Sequence, residues 1–265
     1  MRTVLICHHD EPLNRYGLAR WMASFSELAA IIDIHEPPGR LWRRIRREVK
    51  RSGSLRFLDV LAFRLYYRFA IASADHAWTE RKLAELQAQY PEVPSSCRVL
   101  VTPSPNSPEC LGLLRDLKPD IIIARCKSIL KKDIFQSAST GTFVMHPGFC
   151  PEYRNAHGCF WALAENDLDH VGMTLLKIDE GVDTGPVYGY YGCSFDEVRE
   201  SHLVIQDRVV FDNLPALRTK MEEIQAGAAP TIDTSGRKSR AWGQPWLSSY
   251  FKWKRAARRR VKGIR

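Results

Sequence analysis

Apolar residues along the first third of the chain follow two rhythms. Val4-Leu5-Ile6 is a short continuous run, and Ala29 to Ile34, with its isoleucines, is apolar except at Asp33. Both read as strands. Between them, Tyr16 to Phe25 reads as a helix. From Pro38 to Tyr90 the pattern is helical and long, and Leu58, Leu61, Leu65 and Phe69 recur on one amphipathic face. Beyond Arg98 the alternation tightens. Strands are predicted at Val99–Val101, Asp120–Ala124, Thr142–Met145, Gly172–Ile178 and Pro186–Tyr191, with helices at Pro108–Leu117, Lys131–Ser137 and Ala156–Glu165. Two further helices, His202–Asp212 and Ala216–Ala226, are separated at Asn213-Leu214-Pro215, where the proline starts a new helix or kinks the old one.

Strands alternating with helices predict an α/β fold with a Rossmann-like, open, mostly parallel sheet and right-handed crossovers. After Gly227 the rhythm dissolves into Gly, Ser, Pro and Lys/Arg with scattered aromatics, among them Trp242, Trp246 and Trp253. The expected organisation is therefore an α/β domain over residues 1–226 and a flexible, basic, aromatic-containing tail over 227–265.

Composition refines this picture. An apolar content of 45% in 265 residues is ample for a real core and excludes a disordered chain. The formal charge of +9 is uneven: Phe251 to Arg265 holds eight Lys/Arg and no acid, leaving about one net positive charge on the rest. The basicity thus belongs to the tail, where it suits an anionic membrane surface or RNA. A second basic run, Arg40 to Arg51, is read as the solvated side of the long helical segment. The seven cysteines are odd in number and show no C-x-x-C pair. No run approaches the ~20 apolar residues of a membrane span, and the first strand is too short for a signal peptide. A soluble cytoplasmic protein is expected, with peripheral membrane contact open to the tail.

The chemistry-bearing stretch is His146-Pro147-Gly148-Phe149-Cys150-Pro151-Glu152-Tyr153-Arg154, followed by Asn155-Ala156-His157. Gly172-Met173-Thr174 comes next, then Asp179-Glu180-Gly181-Val182-Asp183-Thr184-Gly185-Pro186. His146 ends a buried strand, the place where open α/β sheets put ligands. Asp183 lies in a glycine-flanked loop returning to the sheet. A carboxylate beside an imidazole fixes its orientation and favours its protonated form, so the two form an acid–base pair.

Through about residues 98–192 these motifs, in order and spacing, resemble the 10-formyltetrahydrofolate-dependent formyltransferases. That family carries a strand ending Asn-x-His-Pro, a loop ending Tyr-Arg-Gly, a Gly-Val-Thr strand and Asp-x-Gly-x-Asp-Thr-Gly-Pro. The resemblance implies that His146 stabilises the tetrahedral adduct formed when an amine attacks the formyl carbon. It implies that Asp183 orients the imidazole and assists proton transfer. It also implies that Lys127, Ile129 and Leu130, with Asp179, Glu180, Gly181 and Val182, wall the pterin of the co-substrate, 10-formyltetrahydrofolate. Two positions depart from the pattern. Val144 stands where the family has an asparagine that donates to the developing oxyanion, and Leu176 stands where it has a histidine. Loss of one such donor typically costs about 10²–10³-fold in rate. Either Asn155, His157 or a backbone N–H replaces the amide, or the transfer differs, or the site has become a binding module.

Other signals are weaker. Cys7-His8-His9-Asp10-Glu11 follows the first strand; His8, His9 and Asp10 are acceptor-side candidates, and no metal is expected there. Neighbouring histidines on a strand end point to opposite faces, so at most one shares a site with Asp10. Cys150 reads as a small apolar filler rather than a nucleophile. The expected reaction is formyl transfer to a primary amine of a small acceptor, by analogy a nucleotide-linked amino sugar. A formyltetrahydrofolate hydrolase and a catalytically degraded binding module are the alternatives. The chain reads as too short for a methionyl-tRNA formyltransferase with its further C-terminal domain.

Overall fold

The computed structural model describes residues 1–37, 48–49 and 53–263. The basic run from Arg40 to Arg47, with Lys50 and Arg51, lies outside the described residues. A seven-stranded sheet organises the rest. Its strands are β1 (Arg2–His8), β2 (Glu27–Ile34), β3 (Arg98–Thr102), β4 (Ile121–Arg125), β5 (Gly141–His146), β7 (Met173–Lys177) and β8 (Val187–Tyr191), in the order β3-β2-β1-β4-β5-β7-β8. The first five run parallel, whereas β7 and β8 pair antiparallel, as the alternating pattern predicted for a mostly parallel sheet.

The unbroken apolar strands are explained by what they divide. In β1, Leu5 and Cys7 face one core while Val4 and Ile6 face the other. In β4, Ile121 and Ile123 join the first set, and Ile122 and Ala124 the second. Successive side chains point to opposite faces, so a strand covered on both sides must be apolar at every position. The smaller core is closed by α4 (Pro108–Leu117) and α5 (Lys132–Phe135) through Cys110, Leu114, Ile134 and Phe135. Ser107 caps α4 by accepting from the Cys110 N–H, with Pro108 at its first turn.

The larger core lies under α1 (Ala19–Ala23, entered through a π-wound turn at Leu13–Leu18), α2 (Ser54–Tyr66), α3 (Ala72–Gln89), α6 (Gly158–Ala164), α7 (His202–Phe211) and α8 (Leu214–Gln225). Trp21, Phe63, Leu86, Phe160, Val209 and Leu217 fill it. Ser201 caps α7, accepting from the Leu203 and Val204 N–H groups, and Pro215 sits in the first turn of α8 as predicted.

The expected flexible tail is not found. Residues 247–261 form α9 (Leu247–Val261), which packs on α2 and α6 with Tyr250, Trp253 and Ala257 buried in the larger core. Upstream, β9 (Ala241–Trp242) pairs in parallel with β6 (Arg154–Asn155). Trp242, Tyr250 and Trp253 are buried anchors, and Tyr250, Trp253 and Ala257 share one helical face that the surrounding Lys/Arg residues masked.

Candidate active site

Strand order reverses between β1 and β4, so their C-terminal ends open a crevice of the kind that binds ligands in open α/β sheets. Four contacts lace it together. His8 Nε2 accepts from the Lys127 N–H at 2.9 Å, and Lys127 Nζ pairs with Glu11 at 2.8 Å. Asn14 donates to Glu11 and accepts from Arg125 Nε at 3.1 Å. Glu11 is held below the usual carboxylate range by Lys127 and its hydrogen bonds, against the effect of burial.

One strand further, His146 ends β5 and is 6% exposed. Its Nε2 lies 2.9 Å from the Tyr153 carbonyl, which can only accept, so Nε2 carries the hydrogen. Nδ1 is thereby turned to Asp183 Oδ2, 3.5 Å away. Asp183 sits at φ +52 in its loop, and the same Oδ2 accepts from the Asn155 N–H at 2.7 Å. Gly148 makes this closeness feasible: a Cβ there would lie 2.6 Å from the Tyr153 carbonyl and 3.0 Å from His146 Nε2.

The two segments expected to wall a pterin approach one another at one end, where Lys132 Nζ meets Glu180 Oε1 at 2.8 Å. Asp179 folds the second wall by accepting from the Gly181 N–H and the Thr184 hydroxyl. At Gly185 a Cβ would collide with the Lys177 carbonyl at 1.8 Å, so the loop returns to the sheet only with glycine there. Ile129 and Val182 hold their apolar side chains in solvent, while Leu130 is buried in the smaller core and contributes backbone at most. Lys127 is committed to Glu11.

Val144 and Leu176 are direct partners in the β5–β7 ladder. With Cys150, Val187 and Tyr190 they form a separate apolar cluster beside His146. No side chain expected to replace the missing amide is free to do so. The Asn155 amide donates to the Trp242 carbonyl, leaving only its N–H near the site. His157 Nδ1 is shut away from solvent without a partner, and burial pushes its pKa down to about 4. Its ring packs 5.6 Å from that of His202, also driven down by burial. Burial likewise raises the Cys150 thiol, with the charge of Asp183 adding to it, so it is a poor nucleophile.

His8 and His9 part company as strand geometry requires. His8 is 3% exposed and spends Nε2 on Lys127, so a substrate does not reach it, which corrects its place among the acceptor-side candidates. His9 and His35 converge on the buried Asp33, at 3.1 and 3.3 Å from Oδ2, and Asp10 stays exposed. His9, Asp33 and His35 could offer three ligand atoms to a metal. However, Arg15 Nε already lies 3.0 Å from the same oxygen, so a divalent ion would meet a guanidinium at contact distance.

The sequence pattern missed the brace behind the 147–154 loop. Arg237 forms a two-point pair with Glu152 at 2.7 and 2.8 Å and donates to the Tyr190 hydroxyl. Arg154 N–H donates to the Arg240 carbonyl, Arg240 N–H to Pro151, and Trp242 Nε1 to the Glu152 carbonyl. Trp161 stacks on Trp242 and donates to the Gly243 carbonyl. Only the unusual tryptophan content of the C-terminal region hinted at it.

A model of the formyl transferase family matches residues 71–217, more than half of the chain. Methionyl-tRNA formyltransferase of Kosmotoga olearia is 40% identical over 85 residues, covering 32% of this chain and 27% of that protein. The Thermus thermophilus enzyme of that name is 27% identical over 164 residues, 53% of each. The chain thus matches about half or less of the length of these relatives. Among solved structures, a sugar N-formyltransferase from a Shewanella species aligns with TM-score 0.54 at 12% identity, over 97% of this chain and 88% of that one. Phosphoribosylglycinamide formyltransferase from Bacillus halodurans aligns with TM-score 0.52 at 12% identity, over 86% and 97%. At such identities the likeness is one of fold.

Proposed function

Since the chain belongs to the formyl transferase family, one-carbon transferases that draw on 10-formyltetrahydrofolate, we propose that it moves that formyl group to the primary amine of a small acceptor, a nucleotide-linked amino sugar. The observation that carries the reading is His146, pinned through Nε2 by a carbonyl and presenting Nδ1 to Asp183 at the end of β5. The co-substrate brings the activated formyl carbon. The acceptor amine attacks it, the C–N bond forms, and the carbonyl oxygen takes the negative charge. With a second proton on Nδ1, His146 donates to that oxygen, and Asp183 receives the ammonium proton through water. Collapse breaks the bond to the folate nitrogen, which leaves with the proton that Asp183 took from the amine.

Exposed Ile129 and Val182 offer apolar edges to a flat pterin, and the Lys132–Glu180 tie holds their loops together. The acceptor class is taken by analogy with the sugar N-formyltransferase that shares the fold, and a cytoplasmic site of action goes with that substrate. Among the described residues no helix is long and apolar enough to cross a membrane. An anionic surface, membrane or RNA, is the natural counterpart of the charge on residues 251–265.

The test is tetrahydrofolate release from 10-formyltetrahydrofolate with and without a panel of nucleotide-linked amino sugars. Acceptor-dependent release is expected, falling by about 10²–10⁴-fold in His146→Ala and Asp183→Asn proteins. Release that ignores the acceptor would make the protein a hydrolase. Folate binding without release would make it a binding module.

A further inference from the structure

Helix α2 is apolar on two sides. Val60 and Phe63 face the core, whereas Leu58, Leu61 and Leu65 are 60%, 42% and 52% exposed. Phe69, in the π-wound turn Tyr67–Ile71 that follows, is 81% exposed. Spacings of three and four residues set these four side chains along one outer stripe. Contiguous exposed apolar surface of this kind marks an interaction site rather than ordinary solvated surface.

Basic groups border the stripe. Arg64 and Arg68 are exposed beside it, with the Arg68 guanidinium 5.9 Å above the Phe69 ring. α9 lies alongside, joined by the Tyr66 and Phe251 rings at 5.1 Å and by Ser248 N–H donating to Asp59. Its outward face presents Lys252, Arg255, Arg258 and Arg259, all exposed, with no ion pair among the described residues. Lys254, by contrast, points inward and donates to the Glu197 and Glu200 carbonyls.

We propose that the joined α2–α9 surface docks on an anionic lipid bilayer, with the leucines and Phe69 entering the headgroup–acyl boundary and the arginines meeting lipid phosphates. Amphipathic helices with aliphatic and aromatic residues on one side and Lys/Arg at the flanks bind interfaces in this way. A second copy of the chain would bring two unpaired basic faces together. RNA would satisfy the charge and leave the leucines in water.

Co-sedimentation of the full chain with phosphatidylglycerol/phosphatidylcholine vesicles tests this, with pure phosphatidylcholine as control. Binding is expected only to the anionic vesicles, and it weakens in high salt. Arg255→Glu/Arg259→Glu should lose about fivefold in partitioning per cation removed. Leu61→Glu/Leu65→Glu should lose at least about tenfold with an unchanged circular dichroism spectrum, because both positions face solvent. No preference for anionic vesicles overturns the proposal. So does full vesicle binding by the leucine variant, which would leave a purely electrostatic surface open to RNA. Concentration-dependent dimerisation that the leucine variant abolishes, without vesicle binding, would assign the stripe to self-association instead.

Discussion

Val144 and Leu176 lie opposite one another across the β5–β7 ladder, so the two departures from the family pattern are one packing event. Changing either alone sets a polar group against a buried apolar partner. Val144→Asn is therefore expected to cost about 1–3 kcal/mol in urea unfolding, while Val144→Asn/Leu176→His recovers part of that loss. If the missing amide limits turnover, the double variant should raise the formyl transfer rate by about 10²-fold. Equal stability of the single and double variants would show that the two positions are uncoupled. His157 and His202 carry the pH prediction. Both are neutral in the fold, His157 with a pKa near 4, so between about 6.5 and 4 the unfolded chain binds protons that the fold refuses. Their contribution to stability therefore falls as pH drops through that window. Asp207, pushed up to about 7 by burial, works the other way, since there the folded state holds the proton. His202→Phe should lose less stability on acidification than the parent, as read from unfolding midpoints at pH 7 and 5.

At the scale of elements, strand positions were legible because a doubly covered sheet makes the middle of β1 (Val4–Cys7) and of β4 (Ile121–Ala124) apolar at every position. His146 and Asp183 were legible because glycines and prolines at fixed spacing mark the loops that hold them. The C-terminal brace was not. Arg237 and Trp242 act through long-range contacts to Glu152, Tyr190 and Trp161, and such contacts leave no local period. Asn155 was read as a donor in its own right, whereas the structure uses its amide to hold Trp242 and its N–H to hold Asp183. Trp253, 1% exposed, anchors α9, and Trp253→Ala should destabilise the protein by about 3–5 kcal/mol in denaturant unfolding. Arg237→Ala should lower turnover more than stability, because it frees the Glu152 loop while leaving the core intact. A change in unfolding midpoint with unaltered turnover would remove it from the site.

Across the whole molecule, chemistry and charge occupy different places. His146 ends β5 on the central sheet with Asp183 beside it, while unpaired cations gather on α9, beside α2. The +9 charge accordingly says nothing about the catalytic centre, and the separation makes the two functions testable one at a time. Vesicle binding should vary without change in formyl transfer measured in solution, and His146→Ala should bind vesicles as the parent does.

The β6–β9 pairing has a consequence in time as well as in space. Ribosomes deliver the chain from its first residue onward, so His146, Asp183 and the whole sheet emerge before residues 237–243 exist. Until that strand arrives, Arg154 and Asn155 lack their ladder, and nothing fixes the N–H that holds Asp183. A nascent chain can thus form its sheet before the loop carrying Asp183 is braced. Chains stalled before residue 237 would lack both that brace and the α9 side chains that close the larger core.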